Sequence, residues 1–202
     1  MTSSPDNPSR RSVARRAVIG GGGAALVAGS AAALLPSGTV SAGRSSNPAR
    51  AADELAIRQL SVNYALGTDA IGAGDIAGGR ALYEQAFTAE ATIAAGFDRA
   101  APALVANGRD EWADVVIGAF QSYSATQHLL GTINITIDQR GRSAQMTSYL
   151  EATHVLRASQ ELLIVKGTYI DTVESDRGDW RITERFLQFM SYNTVPRTLP
   201  AL

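Results

Sequence analysis

The pattern of apolar positions divides the body of the chain into a helical part followed by a strand-rich part. Over residues 53–73 apolar side chains recur at helical spacing, with Asp53 as a cap. At roughly 100° per residue, Leu55, Val62, Ala65, Leu66 and Asp69 share one arc, and Ile57, Leu60 and Tyr64 the opposite one. This helix is therefore expected to be covered on two sides, with a carboxylate closing one buried stripe. A second helix is predicted over 76–86, and a third over 109–123, where Trp112, Val115, Val116, Ala119 and Phe120 form the stripe. Short strands are expected at 91–95 and 103–106.

After residue 125 the period changes to two. Strands are predicted at 126–138, 143–156, 161–173 and 180–192, separated by turn-rich runs such as Asp138-Gln-Arg-Gly-Arg142 and Ser175-Asp-Arg-Gly-Asp179. Helices followed by an antiparallel meander predict an α+β fold, with three N-terminal helices covering one face of a curved antiparallel sheet. Strands this long must twist and bend, so the concave face is expected to enclose a pocket.

The region ahead of this body has a different composition. Ser-Arg-Arg-Ser-Val-Ala-Arg at 9–15 precedes a Gly/Ala-rich apolar stretch ending at Leu35, and Val40 and Ala42 supply small residues for cleavage. Residues 1–42 thus read as a twin-arginine signal peptide, with the twin-arginine translocation machinery as partner during export. The expected location is periplasm, cell envelope or extracellular space. Residues 43–52 read as a linker, 53–195 as one domain and 196–202 as a tail.

Of 202 residues, 45% are hydrophobic and 18% charged, enough apolar material for a core in one domain. With no cysteine, disulfides, thiolate nucleophiles and cysteine-ligated metals are excluded, and two histidines leave little for an imidazole metal site. No metal and no cofactor are expected. Arg10, Arg11, Arg15 and Arg16 all lie in the signal, so the remainder is acidic and offers no basic stripe for nucleic acid.

Histidine changes charge near neutral pH, which makes His128 and His154 the first candidates for chemistry. By alternation His128 shares a face with Leu130, Thr132 and Asn134, opposite Ile133, Ile135 and Ile137, although a bulge would reverse the assignment. His154 shares its face with Met146, Ser148, Leu150 and Ala152, an inward surface. Asp69 beside one imidazole would fix its tautomer and form a general base, with the second imidazole or Tyr64 protonating a leaving oxygen or polarising a carbonyl. The competing readings are a solvated or capping Asp69, a core His128 and a partly exposed His154. Arg185 is assigned to solvent or an interface, and Asp171, Glu174, Asp176 and Asp179 to a solvated hairpin.

The ordered segments YALGTDAIGAGD, ALYEQAFTAEATI, GRDEW, ATQHLLGTINITI, GRSAQMTSYLEATHVL, Y169-I-D171 and GDWRITER resemble the SnoaL-like branch of the nuclear transport factor 2-like superfamily over residues 53–193. The resemblance implies a cone-shaped α+β barrel curled around a deep apolar pocket. Scytalone dehydratases and hexachlorocyclohexane dehydrochlorinases of that superfamily use an Asp-His pair for proton abstraction, and this chain is similar at Asp69 and His128. His154 is similar to the dehydratases' second histidine. Tyr64 is a weaker match to their pocket tyrosines, because the helical projection places it across from Asp69. The implied function is a cofactor-independent, dehydratase-like lyase or isomerase acting on a small apolar or aromatic molecule. The alternative is an exported, noncatalytic protein that binds a small hydrophobic ligand or serves as a structural homo-oligomer.

Overall fold

The first helix of the computed structural model, α1 (Pro48–Gly72), starts ahead of the expected cap, and Asp53 instead lies inside it with its Oδ1 accepting from Trp180 Nε1 at 3.0 Å. Proline is tolerated in a first helical turn, where its missing N–H has no intrahelical partner anyway. The structure describes residues 48–198, all within one unit, Arg44–Leu202. The signal-peptide and export expectations for residues 1–42 lie outside the described residues.

One of the two expected stripes of α1 is buried, the other only at Ala65 among its apolar members. Ile57, Leu60, Tyr64 and Ile71 are inside, whereas Leu55, Val62 and Leu66 are 68%, 42% and 54% exposed. The sheet receives α1 on one side, and α2 (Ile76–Ala86) approaches it through glycine. A Cβ at Gly79 would lie 2.7 Å from the Gly67 carbonyl oxygen, so the helix backbones meet where side chains are missing. Asp75 caps α2 by accepting from Gly78 N–H at 2.9 Å.

The remaining elements are β1 (Phe87–Gly96), β2 (Leu104–Asn107), α3 (Arg109–Phe120), β3 (Tyr123–Ile137), β4 (Ser143–Leu156), β5 (Leu162–Asp176) and β6 (Asp179–Val195). They form a six-stranded sheet in the order β2-β1-β6-β5-β4-β3. The α+β class and the β3–β6 meander stand, but the rest of the expected architecture is corrected. The sheet is mixed, because β1 runs parallel to β6, with Ile93 opposite Arg185. It does not close into a cone or barrel: β2 and β3 form its two edges and do not pair with each other. Nor are the helices all N-terminal, since α3 follows β1 and β2. Short turns announce antiparallel neighbours, whereas the β1–β6 pairing joins strands far apart in sequence and leaves no local signature.

A bulge also changes the face assignment on β3. Its register shifts between Gly131 and Asn134, and Thr132 has a φ of 48°. The extra residue moves Ile133, Ile135 and Ile137 onto the same side as His128 and Leu130, and leaves Thr132 and Asn134 outside. On β4 the alternation holds: Met146, Ser148, Leu150, Ala152 and His154 are all buried.

Candidate active site

Near its C-terminal end, α1 lies against β3 and delivers Asp69 to His128. Asp69 Oδ1 is 2.7 Å from His128 Nδ1, and Oδ2 accepts from the His128 backbone N–H at 3.1 Å. Both carboxylate oxygens are thus committed to one residue, which fixes the ring relative to its own backbone. A carboxylate only accepts, so Nδ1 carries the hydrogen and Nε2 is left as the basic nitrogen. The His128 side chain is 6% exposed and that of Asp69 27%.

His154 stands one strand away on β4, opposite Thr126 in register. Its ring centroid is 5.6 Å from that of His128, with the rings edge to face. Thr126 Oγ1 is 2.7 Å from His154 Nδ1, Tyr123 stacks on the ring at 4.4 Å, and Phe120 meets it edge-on at 5.4 Å. Burial and the neighbouring His128 push the His154 pKa down to about 4, with Asp69 opposing them. His154 is therefore neutral at physiological pH.

A cavity of about 150 Å³ runs between α3 and the sheet, lined by Tyr64, Trp112, Phe120, His128, His154 and Tyr169 among others. Its walls are mainly apolar, which raises the strength of any charge interaction inside. A larger hollow of about 590 Å³ lies on the exposed side of the sheet, around Leu129, Tyr149, Glu151, Lys166 and Met190. None of the four candidate residues lines it, whereas Tyr64, His128 and His154 line the smaller cavity.

Tyr64 reaches the cavity from a different direction than Asp69. It is buried in an aromatic cluster, stacked on Tyr83 at 5.5 Å and edge-on to Tyr169 at 5.3 Å. Tyr83 Oη shares a hydrogen bond of 2.8 Å with Thr68 Oγ1. Burial first, and then Tyr64, raise the pKa values of Tyr83 and Tyr169, which keeps both as neutral phenols.

Beside this cluster is an ion pair that the sequence reading misplaced. Asp171 and Arg185, assigned to a solvated hairpin and to solvent or an interface, are both buried. Arg185 Nε and Nη2 donate to Asp171 Oδ1 and Oδ2, each at 2.7 Å, and the guanidinium lies 4.2 Å from the Tyr64 ring centroid and 4.3 Å from that of Tyr169. Burial works against the arginine's charge, but the Asp171 carboxylate outweighs it and drives the pKa upward. The alternation Tyr169, Asp171, Val173 was the available signal, since its two apolar members face inward. Among the described residues no group of three or more His, Asp or Glu side chains could hold a metal ion.

Comparison with known proteins bears on the family and the fold. A family model described as SnoaL-like domain matches residues 49–186. Among solved structures, a proposed scytalone dehydratase from Novosphingobium aromaticivorans is 21% identical with a TM-score of 0.60, covering 76% of this chain and 93% of its own. The hexachlorocyclohexane dehydrochlorinase LinA-type3 from Novosphingobium barchaimii is 12% identical with a TM-score of 0.63, covering 77% of this chain and 100% of its own. The Kfla4162 protein from Kribbella flavida is 19% identical with a TM-score of 0.59, over 71% and 95%. At these identities the likeness is one of fold. No curated protein matches the chain.

Proposed function

The chain belongs to the SnoaL-like domain family, and from that premise we propose that it is a cofactor-independent lyase or isomerase acting on a small apolar or aromatic molecule. The observation that carries this reading is the 2.7 Å contact between Asp69 Oδ1 and His128 Nδ1 beside an apolar cavity. In a dehydratase-like elimination, His128 Nε2 takes a proton from a C–H bond. The electron pair of that bond becomes the new C=C π bond as the bond to the β-oxygen breaks. Asp69 stabilises the imidazolium that forms, in a site where little water screens the pair. The proton then passes from His128 to the departing oxygen, so that water leaves, while His154 holds that oxygen by a hydrogen bond. Tyr64 shapes the cavity with Tyr169 and offers a phenol to a substrate oxygen.

The test uses a panel of small aromatic β-hydroxyketones and chlorinated cyclohexanes, with conversion followed by chromatography and binding by calorimetry. The wild type should convert at least one compound. Asp69→Asn and His128→Ala should lower kcat/KM by about 10²–10⁴-fold with binding retained. Equal conversion by both variants rules out the dyad, and binding without conversion by the wild type favours the noncatalytic alternative. That alternative, a ligand-binding or structural homo-oligomer, draws support from Leu129, Tyr149 and Met190, which are 56%, 58% and 70% exposed around the larger hollow.

A further inference from the structure

Two hydrogen-bond partners select the histidine tautomers at the cavity, and only one of them is a carboxylate. Asp69 forces a hydrogen onto His128 Nδ1. Thr126 faces His154 Nδ1 with a hydroxyl, which can donate or accept. Among the described residues, Thr126 Oγ1 has no hydrogen-bond partner other than His154. Either direction leaves one hydrogen without an acceptor among these residues: if the imidazole donated it would be the hydroxyl's, on a side chain that does not line the cavity, whereas if the hydroxyl donates it is His154 Nε2–H, on a ring that lines the cavity and can offer it to a substrate oxygen.

The position of the hydroxyl is also constrained by the end of α1. A Cβ built on Gly72 would come within 2.1 Å of Thr126 Cγ2 and 3.2 Å of Phe120 Cδ2. The threonine methyl therefore occupies space that a side chain at position 72 would fill. A β-branched residue has few χ1 states, so seating the methyl against Gly72 commits the hydroxyl to its direction. Asp69 and Gly72 are thus two contributions of one helix end: the first orients His128 directly, and the second orients His154 through Thr126.

We infer that Thr126, held in one rotamer by the hollow at Gly72, is a positioning residue that donates to His154 Nδ1 and keeps that ring as an Nε2–H hydrogen-bond donor. The cavity then carries opposite functions on neighbouring rings, a bare Nε2 on His128 as base and an Nε2–H on His154 for a substrate oxygen. Its catalytic meaning rests on the elimination proposed above; the tautomer itself does not.

The experiment is therefore run first without substrate, by long-range ¹H–¹⁵N correlation on the full ¹⁵N-labelled protein at neutral pH, with His128→Asn identifying the signals. The wild type should show His154 as the Nε2–H form, with Nδ1 at the shift of a hydrogen-bonded acceptor. In Thr126→Val the Nδ1 signal should move downfield toward a bare acceptor, and Thr126→Ser should return it. Thr126→Ala gives the same reading should valine misfold. A wild-type His154 carrying its hydrogen on Nδ1, or an Nδ1 shift unchanged in the valine and alanine variants, overturns the inference. With a converted substrate in hand, Thr126→Val should lower kcat about tenfold with little change in KM. The expected tautomer in a protein that converts nothing would sink the elimination and leave the role of Thr126 intact.

Discussion

His154 carries a stability signal that can be read without any substrate. Its folded pKa of about 4 lies below the usual 6.5, so between these values the unfolded chain binds a proton that the folded chain does not. Stability from this group is fully present above about pH 6.5 and is lost as pH falls toward 4, by up to about 3 kcal/mol. Urea denaturation at pH 7 and pH 4.5 should show that loss in the wild type and a smaller one in His154→Gln. Equal pH slopes in both proteins would remove the assignment. The candidate histidines were legible because the sequence has two of them. The inward face of His154 followed from alternation on β4, whereas the companions of His128 on β3 did not, because the bulge at Thr132 interrupts the count.

Among the elements, β5 and β6 are joined to α1 by charge as well as by apolar packing. Asp171 and Arg185 sit opposite each other in the β5–β6 ladder, and the guanidinium lies against Tyr64 of α1. Removing one partner of a buried pair leaves the other uncompensated, at a cost of about 3–5 kcal/mol. Asp171→Asn should therefore lower stability by that order, measured by denaturant midpoint. Asp171→Leu combined with Arg185→Met should recover much of the loss. If the single asparagine substitution leaves the midpoint unchanged, the pair is not what ties these elements together. Helix and strand types could be read from period. Alternation on β5 could turn Asp171 inward, but not name Arg185 as its partner, because that pairing depends on the register of β5 against β6.

At the scale of the whole molecule, the two sides of the sheet differ in what covers them. One is covered by helices and holds the dyad. The other exposes Leu129, Tyr149 and Met190 with the Lys166–Glu151 ion pair, the surface on which the homo-oligomer alternative rests. On that alternative, light scattering behind size exclusion should give a mass above that of one chain for the wild type and a monomer for Tyr149→Lys, with unchanged circular dichroism. A monomeric wild type at tens of micromolar would end that proposal.

Sequence alone determined the helical and strand periods, the long meander, the inward face of β4 and the scarcity of residues able to do acid–base work. These are local or compositional properties, carried by neighbours a few positions apart. Tertiary structure decided the parallel β1–β6 pairing, the open sheet edges, and the meetings of Asp69 with His128, Thr126 with His154 and Asp171 with Arg185. Such contacts depend on register, on one bulge and on how closely a helix end approaches a strand, and periodicity along the chain contains none of these distances.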